Sequence, residues 1–367
     1  MKILFDHQTF TLQKFGGISK YFIELLNQFN LTGDKCNVAV LYSDNIYLNK
    51  KAYYNFIVLI LKNHFKGRNK IINFLNITFN KYKLIQSDFD VFHPTYYDPY
   101  FLRYCKKPFV ITVHDLIHEK YLIHLNSQKF LADKRELLEK ASRIIAISNT
   151  TKSDIVSIYK IDETKIDVIH HGVNESFNNI KTRHLNLPKR YVLFMGQRNE
   201  YKNFNFFIKA LKSVLDDDNE LHLVCSGIPF NKKEIELIED LGLTIKVHHF
   251  DASEIQLPSL YANSVCFVFP SIYEGFGMPI LEAFATKTPC LLSDTPCFRE
   301  IAADAALFFK LDDFDDFKEQ ISKILYYKSI KEILVNKGTE RLSEFSWQRT
   351  KALTLESYKK AISSYEK

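Results

Sequence analysis

The sequence predicts an α/β protein built from two doubly wound, Rossmann-like parallel-sheet domains. Short apolar runs alternate with helix-period segments along the whole chain, which is typical of strands joined by right-handed crossovers. The alternation restarts after a polar, proline-containing segment at 181–190, and 367 residues exceed one ordinary core. We therefore expect a first domain over 1–175, a second over 176–346 and a C-terminal segment over 347–367.

The first domain opens with a strand, KILF (2–5), and a helix, GGISKYFIELLNQF (16–29), whose apolar residues share one face. The further strands predicted are NVAVLYS (37–43), DVFHP (90–94), PFVITVHD (108–115), SRIIAIS (142–148) and DVIHHG (167–172). Two helical segments, QKFLADKRELLEKA and NTTKSDIVSIYK, separate the last three strands. Ser148 or Asn149 is expected to cap the second of these helices.

The second domain repeats the strand–helix alternation. Its predicted strands are YVLFMG (191–196), LHLVCSG (221–227), TIKVHHF (244–250), VCFVFPS (265–271), PCLLSD (289–294) and AALFFK (305–310). Its predicted helices include NFNFFIKALKSVL (203–215), KKEIELIEDLG (232–242) and SEIQLPSLYANS (253–264), and a long helix, 347–365, closes the chain. Open sheets of this kind bind ligands at the carboxyl ends of their strands, so we expect the ligand cleft there, between the domains.

Composition narrows the protein class. The six cysteines are scattered without a CxxC pair, which is typical of reduced thiols in a cytoplasmic protein. The N-terminus has no signal-peptide core, and the longest apolar run, FIVLIL (56–61), is too short to span a bilayer. No His, Cys and carboxylate cluster has metal-ligand spacing, so no metal is expected.

The net charge of +6 is concentrated in one segment. Residues 50–83 contain no Asp or Glu but eight Lys or Arg, with aromatic and aliphatic residues between them. Such a segment is compatible with a solvated basic surface or with a patch that contacts anionic membrane. No nucleic-acid motif accompanies it, and nucleic acid is not an expected partner.

The segment SIYEGFGMPILEAF (271–284) carries the most specific signal. A buried strand ends at Ser271, two glycines then allow a sharp turn, and Pro279 suits the first turn of a helix. The N-terminus of that helix favours an anion such as a diphosphate, while Glu274 and Glu282 can accept hydrogen bonds from sugar hydroxyls. By themselves, the two carboxylates could equally be a loop charge and a complement to the helix dipole. A glycosidase carboxylate pair is a third alternative, which nothing else in the chain supports.

Glu274 and Glu282 have the E-x7-E spacing of retaining, nucleotide-sugar-dependent glycosyltransferases of the GT-B fold, and EGFGMPILEA as a whole resembles their group-4 family. That family includes many bacterial polysaccharide and lipopolysaccharide transferases. The resemblance implies that Glu282 holds the donor ribose and Glu274 the donor sugar. It also implies that the backbone from Gly275 through Phe276 and Gly277 to Met278 lies near the sugar hydroxyls.

The resemblance extends over nearly the whole chain. FMGQRNEYKNFNFFIKAL (194–211) is similar to the family's diphosphate-binding segment, so Arg198 and Lys202 are implied to neutralise the donor diphosphate. LQKFGGISKYFIEL (12–25) resembles the family's first glycine loop, which makes Gly16 and Gly17 donor-binding candidates. TVHDL (112–116) resembles the strand end at which members place a His beside the donor sugar, here His114. The final helix is implied to cross back onto the first domain.

The expected function is transfer of a hexose from a nucleoside-diphosphate sugar to a glycan or lipid-linked oligosaccharide, with retention at the anomeric carbon. Mannose is the sugar that the appearance of the family suggests. The alternatives are an epimerase or sugar phosphorylase of the same fold, and a catalytically silent glycan-binding partner. We expect no cofactor and a cytoplasmic location, with peripheral contact through 50–83 on the inner face of the membrane.

Overall fold

The computed structural model describes residues 1–48, 66–121, 128–174, 177, 184–198 and 200–365. The chain divides into two compact units, and each is an α/β unit with parallel strands, as predicted. Unit 1 contains Met1–Gly172 and Trp347–Lys367, and unit 2 contains Val173–Ser346. Of the basic segment 50–83, residues 50–65 lie outside the described residues.

Unit 1 is built on six short parallel strands. They are β1 (Lys2–Phe5), β2 (Lys35–Val38), β3 (Val91–His93), β4 (Val110–Val113), β5 (Arg143–Ala146) and β6 (Ile166–Val168). The strands pair in the orders β2-β1-β3 and β4-β5-β6, and a parallel bridge between Phe92 and Phe109 links the two groups. The order of the strands therefore reverses direction beside β1, as in a doubly wound sheet.

Seven described helices belong to unit 1. They are α1 (Gln8–Leu12), α2 (Gly17–Leu31), α3 (Arg68–Gln86), α4 (Ile117–Lys120), α5 (Gln128–Lys140), α6 (Asn149–Tyr159) and α14 (Trp347–Tyr365). Ser148 caps α6 by accepting a hydrogen bond from the Thr151 N–H. The C-terminal helix α14 packs against α2 and the strands of this unit, and its Tyr358 hydroxyl lies 2.6 Å from Nδ1 of the buried His93.

Unit 2 is a single six-stranded parallel sheet. Its strands are β7 (Tyr191–Met195), β8 (His222–Ser226), β9 (Val247–His249), β10 (Cys266–Phe269), β11 (Cys290–Ser293) and β12 (Leu307–Phe309). The order is β12-β11-β10-β7-β8-β9, so the chain winds outward from β7 and then outward in the other direction from β10. The core is almost entirely aliphatic and aromatic because both faces of the sheet are covered by helices.

Seven described helices belong to unit 2. They are α7 (Phe204–Asp217), α8 (Lys232–Asp240), α9 (Leu257–Ala262), α10 (Met278–Ala285), α11 (Pro296–Ala302), α12 (Phe314–Tyr326) and α13 (Lys328–Leu342). Asn231 and Glu234 form a capping box at the start of α8, which fixes where that helix begins.

Several predicted elements have different bounds in the structure, and two of them show a physical reason. The strand expected at 37–43 ends at Val38, because the N–H groups of Leu41 and Tyr42 donate to the Asn76 side chain instead of a neighbouring strand. The helix expected at 253–264 begins only at Leu257, where Pro258 occupies its first turn and Gln256 holds the backbone of Ser253.

Candidate active site

The candidate site of unit 2 lies at the carboxyl ends of β7 and β10. These strands are adjacent, with Cys266 opposite Val192 and Phe267 opposite Leu193, and the winding of the sheet reverses between them. In doubly wound sheets this switch point is where the connections diverge and leave a crevice for a ligand. The candidate residues of unit 2 lie in the loops that follow β7 and β10 and in α10, the helix after β10.

The loop after β10 turns into α10 through Gly277. Its φ of +104° is left-handed, and a Cβ there would lie 3.0 Å from Ile280 Cδ1 and 3.2 Å from the Phe298 ring. Glycine is therefore required for this turn. Pro279 occupies the first turn of α10, as predicted, and the N-terminus of the helix adjoins the loop that carries Glu274.

The other predicted residues of this segment differ in how far they are buried. Gly275 is buried. The Phe276 side chain is 3% exposed and packs edge-on against Phe345, so only its backbone can face a ligand. Met278 is half-buried at the first position of α10.

Lys202 and Glu274 connect the two loops. Lys202 ends a short 3-10 turn after β7, and its Nζ lies 2.6 Å from Oε1 of Glu274. The side chains are 14% and 12% exposed, so this ion pair is mostly withdrawn from water. The ammonium also lies 5.1 Å from the centre of the Phe269 ring at the end of β10. Residues 72 positions apart are thereby held at one point of the sheet edge.

Glu282 is held from inside the domain. It lies in the second half of α10, and its Oε2 accepts a hydrogen bond of 3.0 Å from the Tyr261 hydroxyl. Tyr261 is fully buried, and burial, followed by the charge of Glu282, raises the pKa of its phenol well above the usual value. Tyr261 was not predicted from the sequence as a partner of Glu282. Its helix is short, and no pattern in the sequence places its hydroxyl beside Glu282.

Arg198, which was predicted to neutralise the donor diphosphate, is more deeply buried than such a contact requires. Its side chain is fully buried, and Nη2 donates to the carbonyl oxygens of Ile228 (2.7 Å) and Pro229 (2.8 Å) in the loop between β8 and α8. Nε lies 3.1 Å from Oε2 of Glu234, and the guanidinium stacks 4.6 Å from the centre of the Phe230 ring. Nη1 has no hydrogen-bond partner among the described residues. Arg198 therefore organises the β8–α8 loop, and its Nη1 remains available as a donor.

The predicted glycine loop of unit 1 forms the start of α2. Gly16 is the N-cap and has an extended backbone, and Gly17 is the first helical residue. The Gln13 side chain accepts a hydrogen bond of 3.2 Å from the Ser19 N–H, and a Cβ on Gly16 would lie 2.6 Å from Gln13 Oε1. Gly16 thus leaves room for a side chain that satisfies one of the first N–H groups of α2.

His114 follows β4 and is enclosed by other rings. Its imidazole packs 5.0 Å from Tyr21 of α2 and stacks 6.1 Å from His171, between ring centres. Burial, with smaller contributions from His93 and Lys134, lowers its pKa to about 3, so the ring is neutral near pH 7. Nε2 is buried without a partner among the described residues, and the backbone N–H donates to the Tyr97 hydroxyl at 3.3 Å.

A buried polar network at the end of β1 was also missed. Asp6 is fully buried and accepts hydrogen bonds from the backbone and hydroxyl of Thr95 and from the side chains of Gln8 and Tyr100. It ties the connection after β1 to that after β3, next to the switch point of unit 1. A lone Asp after a strand carries no signal that would distinguish it from a surface charge.

Two further observations concern the described part of the chain as a whole. No group of three or more His, Cys, Asp or Glu side chains is arranged to hold a metal ion there. Among the same residues, no helix is both long and apolar enough to cross a membrane.

Two doubly wound α/β units, one with a Lys–Glu pair beside a helix N-terminus at its switch point, define a two-domain protein of the doubly wound α/β class. Residues 176–341 match the family model of glycosyl transferases group 1, and residues 15–177 match that of glycosyltransferase family 4. The chain belongs to this glycosyltransferase family, as the resemblance of its motifs implied.

Two curated relatives and one solved structure illustrate the similarity. An O-antigen chain mannosyltransferase of Salmonella typhimurium is 33% identical over 58% of this chain and 60% of its own length. O-antigen chain mannosyltransferase B of Escherichia coli is 27% identical over 61% of this chain and 62% of its own length. The matched region thus spans less than two thirds of either relative. The Anabaena protein HepE, solved with UDP and glucose, has a TM-score of 0.72 at 15% identity, over 97% of this chain and 98% of that one. This likeness shows the GT-B fold.

Replacing Arg198 should destabilise unit 2 far more than replacing Lys202. Arg198→Met leaves the buried Glu234 carboxylate without its cation, which costs about 3–5 kcal/mol of unfolding free energy. Urea unfolding followed by circular dichroism measures this loss, with Lys202→Met as the control. Restoration of part of the stability in Arg198→Met/Glu234→Met would show that the pair is coupled. Equal stability of Arg198→Met and the wild type would contradict the placement of Arg198.

The stability of the protein should fall as the pH drops from about 6.5 towards 3. The pKa values of His93 and His114 are each lowered to about 3 by burial. Between about pH 6.5 and 3 the unfolded chain therefore binds a proton at each of these histidines, whereas the folded chain does not. Each histidine contributes a slope of about 1.4 kcal/mol per pH unit within that window. His114→Phe should reduce the slope of the unfolding free energy against pH. A normal imidazole titration of His114 in an NMR experiment would refute this prediction.

Proposed function

We propose that the protein transfers a hexose from a nucleoside-diphosphate sugar to a hydroxyl of a glycan or lipid-linked oligosaccharide, with retention of anomeric configuration. The observation that carries this proposal is the Lys202–Glu274 pair beside the N-terminus of α10, at the switch point of unit 2. Lys202 supplies a cation and the first turn of α10 supplies N–H groups for a diphosphate, while Glu274 supplies a carboxylate for sugar hydroxyls. The two relatives named for O-antigen mannose transfer support mannose as the sugar.

The donor diphosphate would be neutralised at the start of α10. The first N–H groups of a helix have no intrahelical partner and favour an anion. The Lys202 ammonium would add a charge-assisted contact, and the Nη1 of Arg198, which has no hydrogen-bond partner among the described residues, would donate to a phosphate oxygen. In this proposal Lys202, together with Arg198, would stabilise the charge that develops on the leaving diphosphate, which would be their contribution to rate. No metal ion is needed for that task.

Donor binding would rearrange the Lys202–Glu274 pair. A diphosphate carries more charge than the Glu274 carboxylate and would compete with it for the Lys202 ammonium. Glu274 would then turn its oxygen atoms to the sugar hydroxyls, next to the backbone from Gly275 to Met278. Glu282, fixed by the Tyr261 hydroxyl at one oxygen, would accept a hydrogen bond from a ribose hydroxyl.

His114 would contribute as a neutral ring. Because burial lowers its pKa to about 3, it can exchange a hydrogen bond with a sugar hydroxyl but does not supply a positive charge near pH 7. We propose no covalent nucleophile, and Gly16 and Gly17 would contribute backbone at the start of α2. The reaction would take place on the cytoplasmic side of the membrane.

A panel of donors should identify the nucleotide. UDP-, GDP-, dTDP- and ADP-sugars are compared by thermal shift, and the correct donor at about 100 times its dissociation constant stabilises the protein by about 2.7 kcal/mol. Glu282→Ala should lose this stabilisation, whereas Glu236→Ala, an exposed carboxylate on α8, should keep it. A shift that survives in Glu282→Ala would place the donor elsewhere.

The products formed from the same donors distinguish the alternative functions. Transfer to an acceptor supports the proposal, and isomerised sugar nucleotide without an acceptor identifies an epimerase. Phosphate-dependent release of sugar phosphate identifies a phosphorylase. Glycan binding without any donor effect identifies a catalytically silent partner.

Glu274→Gln should separate diphosphate binding from transfer. Removing the carboxylate removes the competitor for the Lys202 ammonium, so the free nucleoside diphosphate should bind at least as tightly as to the wild type. Transfer should fall about 100-fold, because the amide holds the sugar and its developing charge less well. Calorimetric titration and a transfer assay measure the two effects, with Lys202→Met as the opposite case, in which both binding and transfer weaken. Equal losses of binding and transfer in Glu274→Gln would refute the proposed competition.

A further inference from the structure

The helix α3 of unit 1 has a largely polar buried side and an apolar exposed side, which is the reverse of an ordinary amphipathic surface helix. Its buried positions recur every fourth residue at Arg68, Ile72, Asn76, Asn80 and Leu84, and three of these five side chains are polar. Its outward side carries the large apolar residues Ile71, Phe74, Tyr82 and Ile85, of which Phe74 is 67% exposed and Ile85 66%. An ordinary surface helix buries such residues.

Hydrogen bonds explain the polar inner side. Arg68 pairs with both oxygens of Asp44, at 2.6 and 3.0 Å, and donates to the Tyr42 hydroxyl. The Asn76 side chain bonds the backbone of 41–42 and the Thr11 hydroxyl, and Asn80 donates to the Ala39 carbonyl. These contacts attach α3 to its unit without the apolar residues of the outer side. The fold therefore gives no reason for that outer side to be apolar.

The exposed apolar residues form one continuous row. Residues 71, 74, 82 and 85 are separated by three, eight and three positions, which keeps them on one side of a helix with 3.6 residues per turn. The exposed Thr78 lies in the middle of the row. From residue 71 to residue 85 the row is about 21 Å long. A row of this size on a surface helix marks an interaction site rather than a scatter of single residues.

The charged side chains of α3 itself all have the same sign. No Asp or Glu occurs between Asp44 and Asp88, and Lys70 of α3 is exposed. The Lys81 ammonium lies 4.9 Å from the centre of the Tyr104 ring, and Lys83 lies 5.6 Å from that of Phe79. The partner must therefore be anionic and must offer an apolar phase as well. A second copy of this chain would bring lysines against lysines.

We propose that α3 docks in the plane of an anionic lipid bilayer, with Ile71, Phe74, Tyr82 and Ile85 inserted and the lysines at the phosphate groups. The apolar row is central and the cations flank it, which is the arrangement of an interfacial helix. A nucleic-acid surface would need the cations at the centre. The inference is independent of the proposed transfer reaction, since it concerns only the surface of unit 1.

Co-sedimentation of the full chain with vesicles tests the inference. Vesicles of phosphatidylcholine are compared with vesicles of phosphatidylcholine and phosphatidylglycerol, at low and high salt. The wild type should bind the anionic vesicles, and less so at high salt. Phe74→Ser/Ile85→Ser should lower the partition coefficient at least about tenfold, and Lys70→Gln about fivefold.

The matched control is Ile245→Ser/Ile255→Ser, which removes two equally exposed isoleucines (79% and 66%) from unit 2 and should bind like the wild type. All substitutions lie on the surface, so unchanged melting temperatures verify that the variants fold. Equal binding to both vesicle types, no binding to either, or unchanged binding of Phe74→Ser/Ile85→Ser would overturn the inference. So would DNA binding, or a dimer in sedimentation equilibrium, that is lost in the same variant.

Discussion

The parallel pairing of β7 with β10 is the constraint on which the candidate site depends. The paired residues Val192 and Cys266 are 74 positions apart along the chain, yet the two strands hydrogen-bond as neighbours, and each ends at the same edge of the sheet. Because the helices diverge after this pair, Lys202 and Glu274 can meet at 2.6 Å with no other element between them. The N-terminus of α10 comes to the same point because Gly277 turns the chain at the end of the loop that follows β10.

The sequence was sufficient for the fold class and for the loops that carry the site, but not for the partners of individual side chains. Buried parallel strands are apolar runs, which are easily recognised, and glycine and proline mark the turn before α10. Periodicity cannot show that Arg198 turns towards the β8–α8 loop or that Tyr261 reaches Glu282, because those contacts join distant segments. The strand predicted at 37–43 was wrong beyond Val38 because Asn76, also distant, takes its hydrogen bonds.

Unit 1 uses buried polar groups as connectors. The Tyr358 hydroxyl, the His93 imidazole and the Thr112 hydroxyl form a chain of hydrogen bonds of 2.6 and 3.0 Å that joins the C-terminal helix to β3 and β4. Asp6 plays the same part between the connections after β1 and β3. Networks of this kind fix a unique arrangement only when every group is satisfied, so they specify geometry more than they add stability.

The inner side of α3 has a thermodynamic consequence of its own. Apolar burial produces the heat-capacity change of unfolding and weakens on cooling, whereas hydrogen bonds and ion pairs do not share that temperature dependence. A helix attached through Arg68, Asn76 and Asn80 as well as through Ile72 and Leu84 should therefore detach with a smaller change in heat capacity per residue than the aromatic core beneath α2. Cooling would then weaken the apolar core of unit 1 more than the attachment of α3, so α3 would remain bound at low temperatures at which the core is destabilised.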